Sequence, residues 1–220
     1  MFIGHYAVAL AAKKAAPKTS LGTLFMAAQF VDLLWPAFLL VGLEHVRIAP
    51  GNTAFTPLDF YDYPISHSLA GALLWSVFLG VVYYSFRRQA RGALVVGACV
   101  MSHWILDYLT HRPDLPITFG GSMRVGAGLW NSVPWTLIVE FALFVTGLWI
   151  YLKTTHARDK TGVFALWSLI VVLCAIYVSN VFGPPPADAG LIALVGNAAW
   201  LFVFWAYWAD AHRTLAISDR

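Results

Sequence analysis

The chain has 220 residues, of which 60% are hydrophobic and only 11% charged. A soluble domain carries about 25% charged residues, so this composition excludes an ordinary water-soluble globule and points to lipid as the main solvent. The net charge of +3 forms no basic stripe of the kind that binds nucleic acid, and no nucleic-acid partner is expected.

The first sixteen residues, MFIGHYAVALAAKKAA, place Lys13 and Lys14 after the apolar run. A secretory signal carries its charges before that run. The run is also too short to cross a bilayer, which takes roughly 20 apolar residues. Residues 1–16 therefore read as an amphipathic or re-entrant helix. Six segments are long and apolar enough to span: 21–43, 65–86, 92–111, 133–152, 161–182 and 189–208. Backbone groups in lipid must be satisfied internally, so such runs are helical. The fold class expected is all-α, a polytopic membrane helix bundle with about six spans in one integral-membrane domain, 1–220. No internal repeat or low-complexity segment interrupts it.

The charges orient the bundle. Lys13, Lys14 and Lys18 precede the first span, and Arg87, Arg88 and Arg91 separate the second from the third. Lys153, Arg158 and Lys160 separate the fourth from the fifth, and Arg213 and Arg220 follow the sixth. The opposite ends hold only Arg47, Arg112 and Arg124. By the positive-inside rule both termini face the cytoplasm. The long connections, 44–64 and 112–132, lie on the other side, with VFGPPPADAG (181–190) as a tight turn there. Loops on a rigid scaffold carry function, so the working face is the outer one.

An ionisable side chain near the centre of a span costs roughly 2.5–3.5 kcal/mol on insertion scales. Asp32 sits in the first span, His67 opens the second, His103 and Asp107 lie in the third, and Glu140 lies in the fourth. His103, Asp107 and His111, in SHWILDYLTH, recur at every fourth residue, which places them on one helical face. Imidazole and carboxylate at that spacing can hand two ligands to one metal, as in H-E-x-x-H, or can form a hydrogen-bonded pair that joins helices. With Asp32 and His67 added, the set becomes a mixed His/carboxylate site. Such ligands favour zinc, with manganese or iron as the other options. Glu140 is either a partner that orients a ligand histidine or an interhelical hydrogen bonder. Arg112 and Arg124 either grip an anionic head group or anchor the interface. Asp59 and Asp62 read as solvated turn residues, Trp104, Trp130, Trp135 and Trp149 as an interfacial belt, and Cys99 and Cys174 as buried thiols.

IGHYA, FVDLLWP, PISHSL and SHWILDYLTH occur in this order over residues 1–135. The ordered set resembles the YdjM-like inner-membrane metal-dependent hydrolases, also described as LexA-binding. The resemblance matches Gly4-His5, Asp32, His67-Ser68, and Ser102-His103 with Asp107 and Thr110 to that family's motifs. It implies a location in the bacterial inner membrane and adds His5 to the metal ligands Asp32, His67, His103 and Asp107. It also implies that helix 2–12, about 16 Å long, inserts from the cytoplasmic side and points His5 at Asp32. One departure is clear. The family's second acid and following histidine are replaced by Leu33, Leu34, Trp35 and Pro36. If the family site holds two metals, this chain holds one or recruits Asp59, Asp62 or His111.

The expected activity is hydrolysis of a lipid or lipid-linked ester, phosphoester or amide by a metal-activated water, with His111, Asp62 or Glu140 as general acid or base and Arg112 and Arg124 at the head group. The ligand set also resembles intramembrane zinc amidases of the ceramidase type. Two rivals remain at this stage. A divalent-cation or proton transporter would use the same cluster as a transit site, though the polar residues crowd into the first half without repeat symmetry. A structural protein would use it for packing alone and tolerate His103→Ala without loss of metal.

Overall fold

The computed structural model describes residues 1–120 and 122–216. It is an all-α bundle with three short two-stranded ladders, as the composition requires. Arg220, counted above among the basic residues, lies outside the described residues.

Helix α1 (Ile3–Ala15) is followed by α2 (Leu21–Ala28) and α3 (Phe30–Leu40). The first expected span is therefore not continuous. It bends by 57° at Gln29. Pro36 adds to the irregularity, because it cannot donate the bond that the Asp32 carbonyl would otherwise receive. The hairpin β1 (His45–Ile48) and β2 (Leu58–Asp62) comes next. Then α4 (Pro64–His67) turns into α5 (Leu69–Arg87) at Ser68, whose side chain caps α5 by accepting from Gly71 N. Helix α6 (Ala90–Thr110) leads to the small ladder β3 (Leu115–Pro116) and β4 (Arg124–Val125). Helix α7 (Val133–Thr154) follows, then strand β5 (Thr155–Ala157) and helix α8 (Lys160–Phe182). The last apolar span is divided into α9 (Ala189–Asn197) and α10 (Trp200–Ala211), and strand β6 (Arg213–Leu215) closes on β5. Among the described residues, five helical segments are long and apolar enough to cross a membrane, or six if the bent α2–α3 pair is one span.

The basic clusters gather at one end of the bundle. There Lys13 Nζ pairs with Asp210 at 2.8 Å, and Arg91 Nε donates to the Ala15 carbonyl. Asp210 also accepts from Tyr151 OH and Leu21 N. The loop end is covered by the β1–β2 hairpin and the 112–132 segment. The two are tied together by Phe55 N donating to Trp130 O and by stacking of the two rings.

Helix α1 is not a surface element. It runs up from the basic end into the bundle, packed mainly on α7 and also on α2 and α6. Gly147 makes this possible: a Cβ there would lie 2.3 Å from the Ala7 carbonyl oxygen. Small residues let helices approach closely in lipid. The start of α1 is held from the side. Phe2 N and Gly4 N donate to Glu140 Oε2 of α7 at 2.9 and 3.2 Å. These belong to the donors that a helix N-terminus leaves without partners in its own backbone. Below this level Leu10, Leu24, Phe25, Val96 and Val100 form a fully buried apolar core.

Candidate metal centre

Four of the sequence-predicted ligands meet where α3, α4 and α6 converge. His67 Nε2 lies 3.2 Å from Asp32 Oδ1 and 3.8 Å from Asp107 Oδ2. His103 Nε2 lies 3.2 Å from Asp107 Oδ2 and 3.6 Å from Asp32 Oδ2. His67, His103 and Asp107 are buried, and the Asp32 side chain keeps 33% of its exposure.

The outer hydrogen bonds assign the tautomers. His103 Nδ1 lies 2.7 Å from the Ala28 carbonyl, which can only accept, so Nδ1 carries the proton. This carbonyl stands at the α2–α3 break. His67 Nδ1 lies 2.6 Å from Ser66 Oγ, and Ser66 Oγ donates to Glu44 Oε2 at 2.6 Å. The hydroxyl hydrogen is thus committed, and His67 Nδ1 donates to the serine. Ser66 N donates to the other Glu44 oxygen at 2.8 Å. In both rings Nε2 therefore faces the carboxylates, with a lone pair when the ring is neutral, as metal binding requires, or with a second N–H when it is protonated. Within the cluster, Asp32, His67 and His103 form a group that can hold a metal ion. The cluster's imidazole–carboxylate separations of 3.2–3.8 Å are close to the roughly 3.3–3.4 Å between ligand atoms bonded to one ion at about 2.0–2.1 Å. Histidine ligands whose other nitrogen is held by a carbonyl or a carboxylate relay are the usual pattern of such sites.

His5 joins from α1, but at a different partner from the one expected. Its Nε2 lies 3.1 Å from Asp107 Oδ1, and its ring stacks on His103 with centroids 3.5 Å apart. The docking of α1 against α6 and α7 puts His5 across Asp107, with His103 packed against its ring. His5, His103 and Asp107 form a second group able to hold a metal ion. The Met1 amino nitrogen also reaches Asp107 Oδ1, at 2.6 Å.

The remaining sequence-predicted residues do not enter the cluster. His111 is the C-cap of α6 and leaves the helical face that the spacing suggested. Its Nδ1 donates to Asp114 at 2.9 Å, and its ring packs on Trp130 with centroids 4.3 Å apart. Asp62 pairs with His45 on the exposed side of the hairpin. Glu140 holds the start of α1, as described. Arg112 bridges Asp59 and Asp114 at 2.5 and 3.0 Å, and Arg124 donates to the Tyr61 carbonyl. Asp59 is buried between Arg47 and Arg112 rather than solvated. Trp130 is buried among Phe55, Phe60 and His111, unlike the exposed Trp135 and Trp149. Cys99 is buried, Cys174 is half-buried, and both are free.

A cavity of about 760 Å³ opens beside the cluster. Asp32, His67, Asp107 and His111 form its polar wall, and Trp35, Phe60 and Trp130 belong to its apolar lining. Sequence reasoning missed Glu44, Ser66, Tyr63 and Asp114. Ser66 was within reach, since it adjoins His67. Glu44 and Asp114 lie in loops, where no periodicity marks them. Tyr63 is buried against His111 and Asp114, and burial holds its hydroxyl well above the usual phenol range.

No family model, curated protein or solved structure matches the chain.

Proposed function

We propose that this chain is an integral-membrane, metal-dependent hydrolase acting on a lipid or lipid-linked ester, phosphoester or amide. The observation that carries the reading is the convergence of Nε2 of His67 and His103 with the carboxylates of Asp32 and Asp107 at the wall of an apolar cavity. A mixed set of imidazoles and carboxylates favours zinc, and a catalytic zinc takes three protein ligands and keeps its fourth position for water. A divalent ion held there by Asp32, His67 and His103 would supply Lewis acidity and lower the pKa of water towards neutrality.

The chain's own residues do the rest. Asp32 is the most exposed of the four and gives the site its open side. His5 and Glu140 act on position: His5 fixes Asp107, and Glu140 fixes the helix that carries His5. His111 is the residue placed to move a proton. Asp114 holds its Nδ1–H, which leaves Nε2 of a ring at the cavity wall to take or return one. Arg112 keeps Asp114 in place, and Asp62 stays outside the reaction. The basic end faces the cytoplasm of a bacterial inner membrane by the positive-inside rule. This part of the reading includes membership of the YdjM-like group.

The apolar core below the cluster favours hydrolysis over transport. Leu10, Leu24, Phe25, Val96 and Val100 give an ion no polar path towards the basic end. The test is elemental analysis of the detergent-extracted protein beside His103→Ala and Asp107→Ala. About one metal per chain, lost in both variants, is the expected result. A wild type that binds none after zinc or manganese is added back refutes the proposal.

A further inference from the structure

The cavity extends from the cluster to the side of the bundle. Helix α9 packs on α3, whereas α10 packs on α8 and α2. Helices α8 and α9 are therefore drawn to different neighbours on either side of the turn 183–188. The cavity lies between them: Ile176 and Ser179 of α8 line one side, and Ile192, Val195 and Ala199 line the other. Val178 and Phe182 on α8 and Leu194 and Val195 on α9 are exposed. Both helices belong to segments long and apolar enough to cross a membrane, and these exposed flanks are apolar.

We propose that the cleft between α8 and α9 admits a hydrocarbon chain of a membrane lipid sideways, from the leaflet at the loop end. The chain lies against Trp35 and Trp130, and the bond next to its polar end rests at Asp32 and His67. This assignment rests on the hydrolase reading and specifies its substrate class as lipids whose scissile bond adjoins an acyl or alkyl chain. Three observations carry it. One cavity is lined both by Ile176, Ser179, Ile192 and Val195 of α8 and α9 and by the ligand residues Asp32, His67 and Asp107. Its size falls within the range of about 300–1,000 Å³ of small-ligand sites. The transfer itself needs little driving force, since lipid tails are as apolar as the side chains that would replace them. The polar end of the substrate therefore decides which lipid stays.

The experiment uses the full chain, zinc-loaded, in phosphatidylcholine vesicles that contain a diazirine analogue of palmitic acid. After photolysis, labelled residues are mapped by mass spectrometry, and zinc is measured on the same samples. Label is expected at Trp35 and Trp130, which are buried, as well as at the exposed Leu194 and Leu201. Ala199→Trp, at the mouth, is expected to reduce the interior label about tenfold while leaving the surface label and the zinc content unchanged. Ser179→Trp makes the same obstruction from an exposed position on α8 and serves if Ala199→Trp does not fold. Label confined to the surface in a zinc-bound wild type, or interior label unchanged in both variants, overturns the lateral cleft but not the hydrolase. A wild type without zinc overturns the hydrolase reading and the substrate assignment with it.

Discussion

Asp107→Asn tests the metal centre most directly. The substitution keeps side-chain volume but removes the charge that faces both Nε2 atoms at 3.2 and 3.8 Å. Structural zinc sites bind with about 10–16 kcal/mol, shared over four ligands. One ligand is then worth about 2.5–4 kcal/mol, or about a hundred- to a thousandfold in affinity. Asp107 also holds His5 and the Met1 amino nitrogen through its other oxygen, so the variant loses stability as well. The assay is competition for zinc against a chromophoric chelator in detergent, with thermal unfolding measured alongside. A folded Asp107→Asn protein that retains wild-type zinc stoichiometry and affinity refutes the assignment of these residues as ligands.

Four further outcomes are expected. Glu44→Gln weakens the acceptor behind Ser66 and lowers zinc affinity about 10- to 100-fold, the usual cost of losing a partner behind a ligand; titration with the same chelator reads it. Glu140→Leu strips two amide donors of α1 of a charged acceptor and costs roughly 3–6 kcal/mol, at about 1.5–3 kcal/mol per bond, seen as a lowered unfolding midpoint with zinc binding impaired. Asp114→Asn leaves zinc bound but lowers turnover on any substrate found, because His111 loses the partner that sets its tautomer; a decline in metal content instead would contradict its role. At the basic end, the His212 ring beside Asp159, with Gly162 N, holds the Asp159 carboxyl below the usual carboxylate range. A depressed carboxyl stabilises the fold at pH above its ordinary value and loses that contribution as pH falls through the depressed one. Amide protection at 160–163, corrected for intrinsic exchange, is therefore expected to fall in acid, and Asp159→Ala is expected to abolish this pH dependence by removing the carboxyl.

Much of this site can be read from the chain before its shape is known. Asp32, His67, His103 and Asp107 stand out because lipid tolerates ionisable groups only where something satisfies them, and the four do meet. The bundle and its alternating basic ends follow from apolar length and charge in the same way. What the sequence conceals is set by breaks in regular structure. Fourth-residue spacing predicts that His111 continues the face of His103, but the helix ends at Thr110 and the ring turns to Asp114. The bend at Gln29 lies inside an apolar run with no glycine at the break, so 21–43 reads as one span; the bend is what sets the Ala28 carbonyl against His103. Glu44 and Ser66 are brought together by a hairpin, a contact that neither periodicity nor composition records. His5 meets Asp107 rather than Asp32 because Gly147 lets α1 sink against α7, a tertiary fact invisible in the sequence of α1 itself.

The route by which α1 is anchored also sets the order in which the protein can be made. Its chief neighbour, α7, begins at Val133, and the amides of Phe2 and Gly4 wait for a carboxylate 138 and 136 residues downstream. During synthesis the first helix therefore leaves the ribosome with its permanent seat still unmade. Because His5 travels with it, and contacts of such long sequence separation are slow to form, the support that His5 gives Asp107 is completed only once α7 is in place.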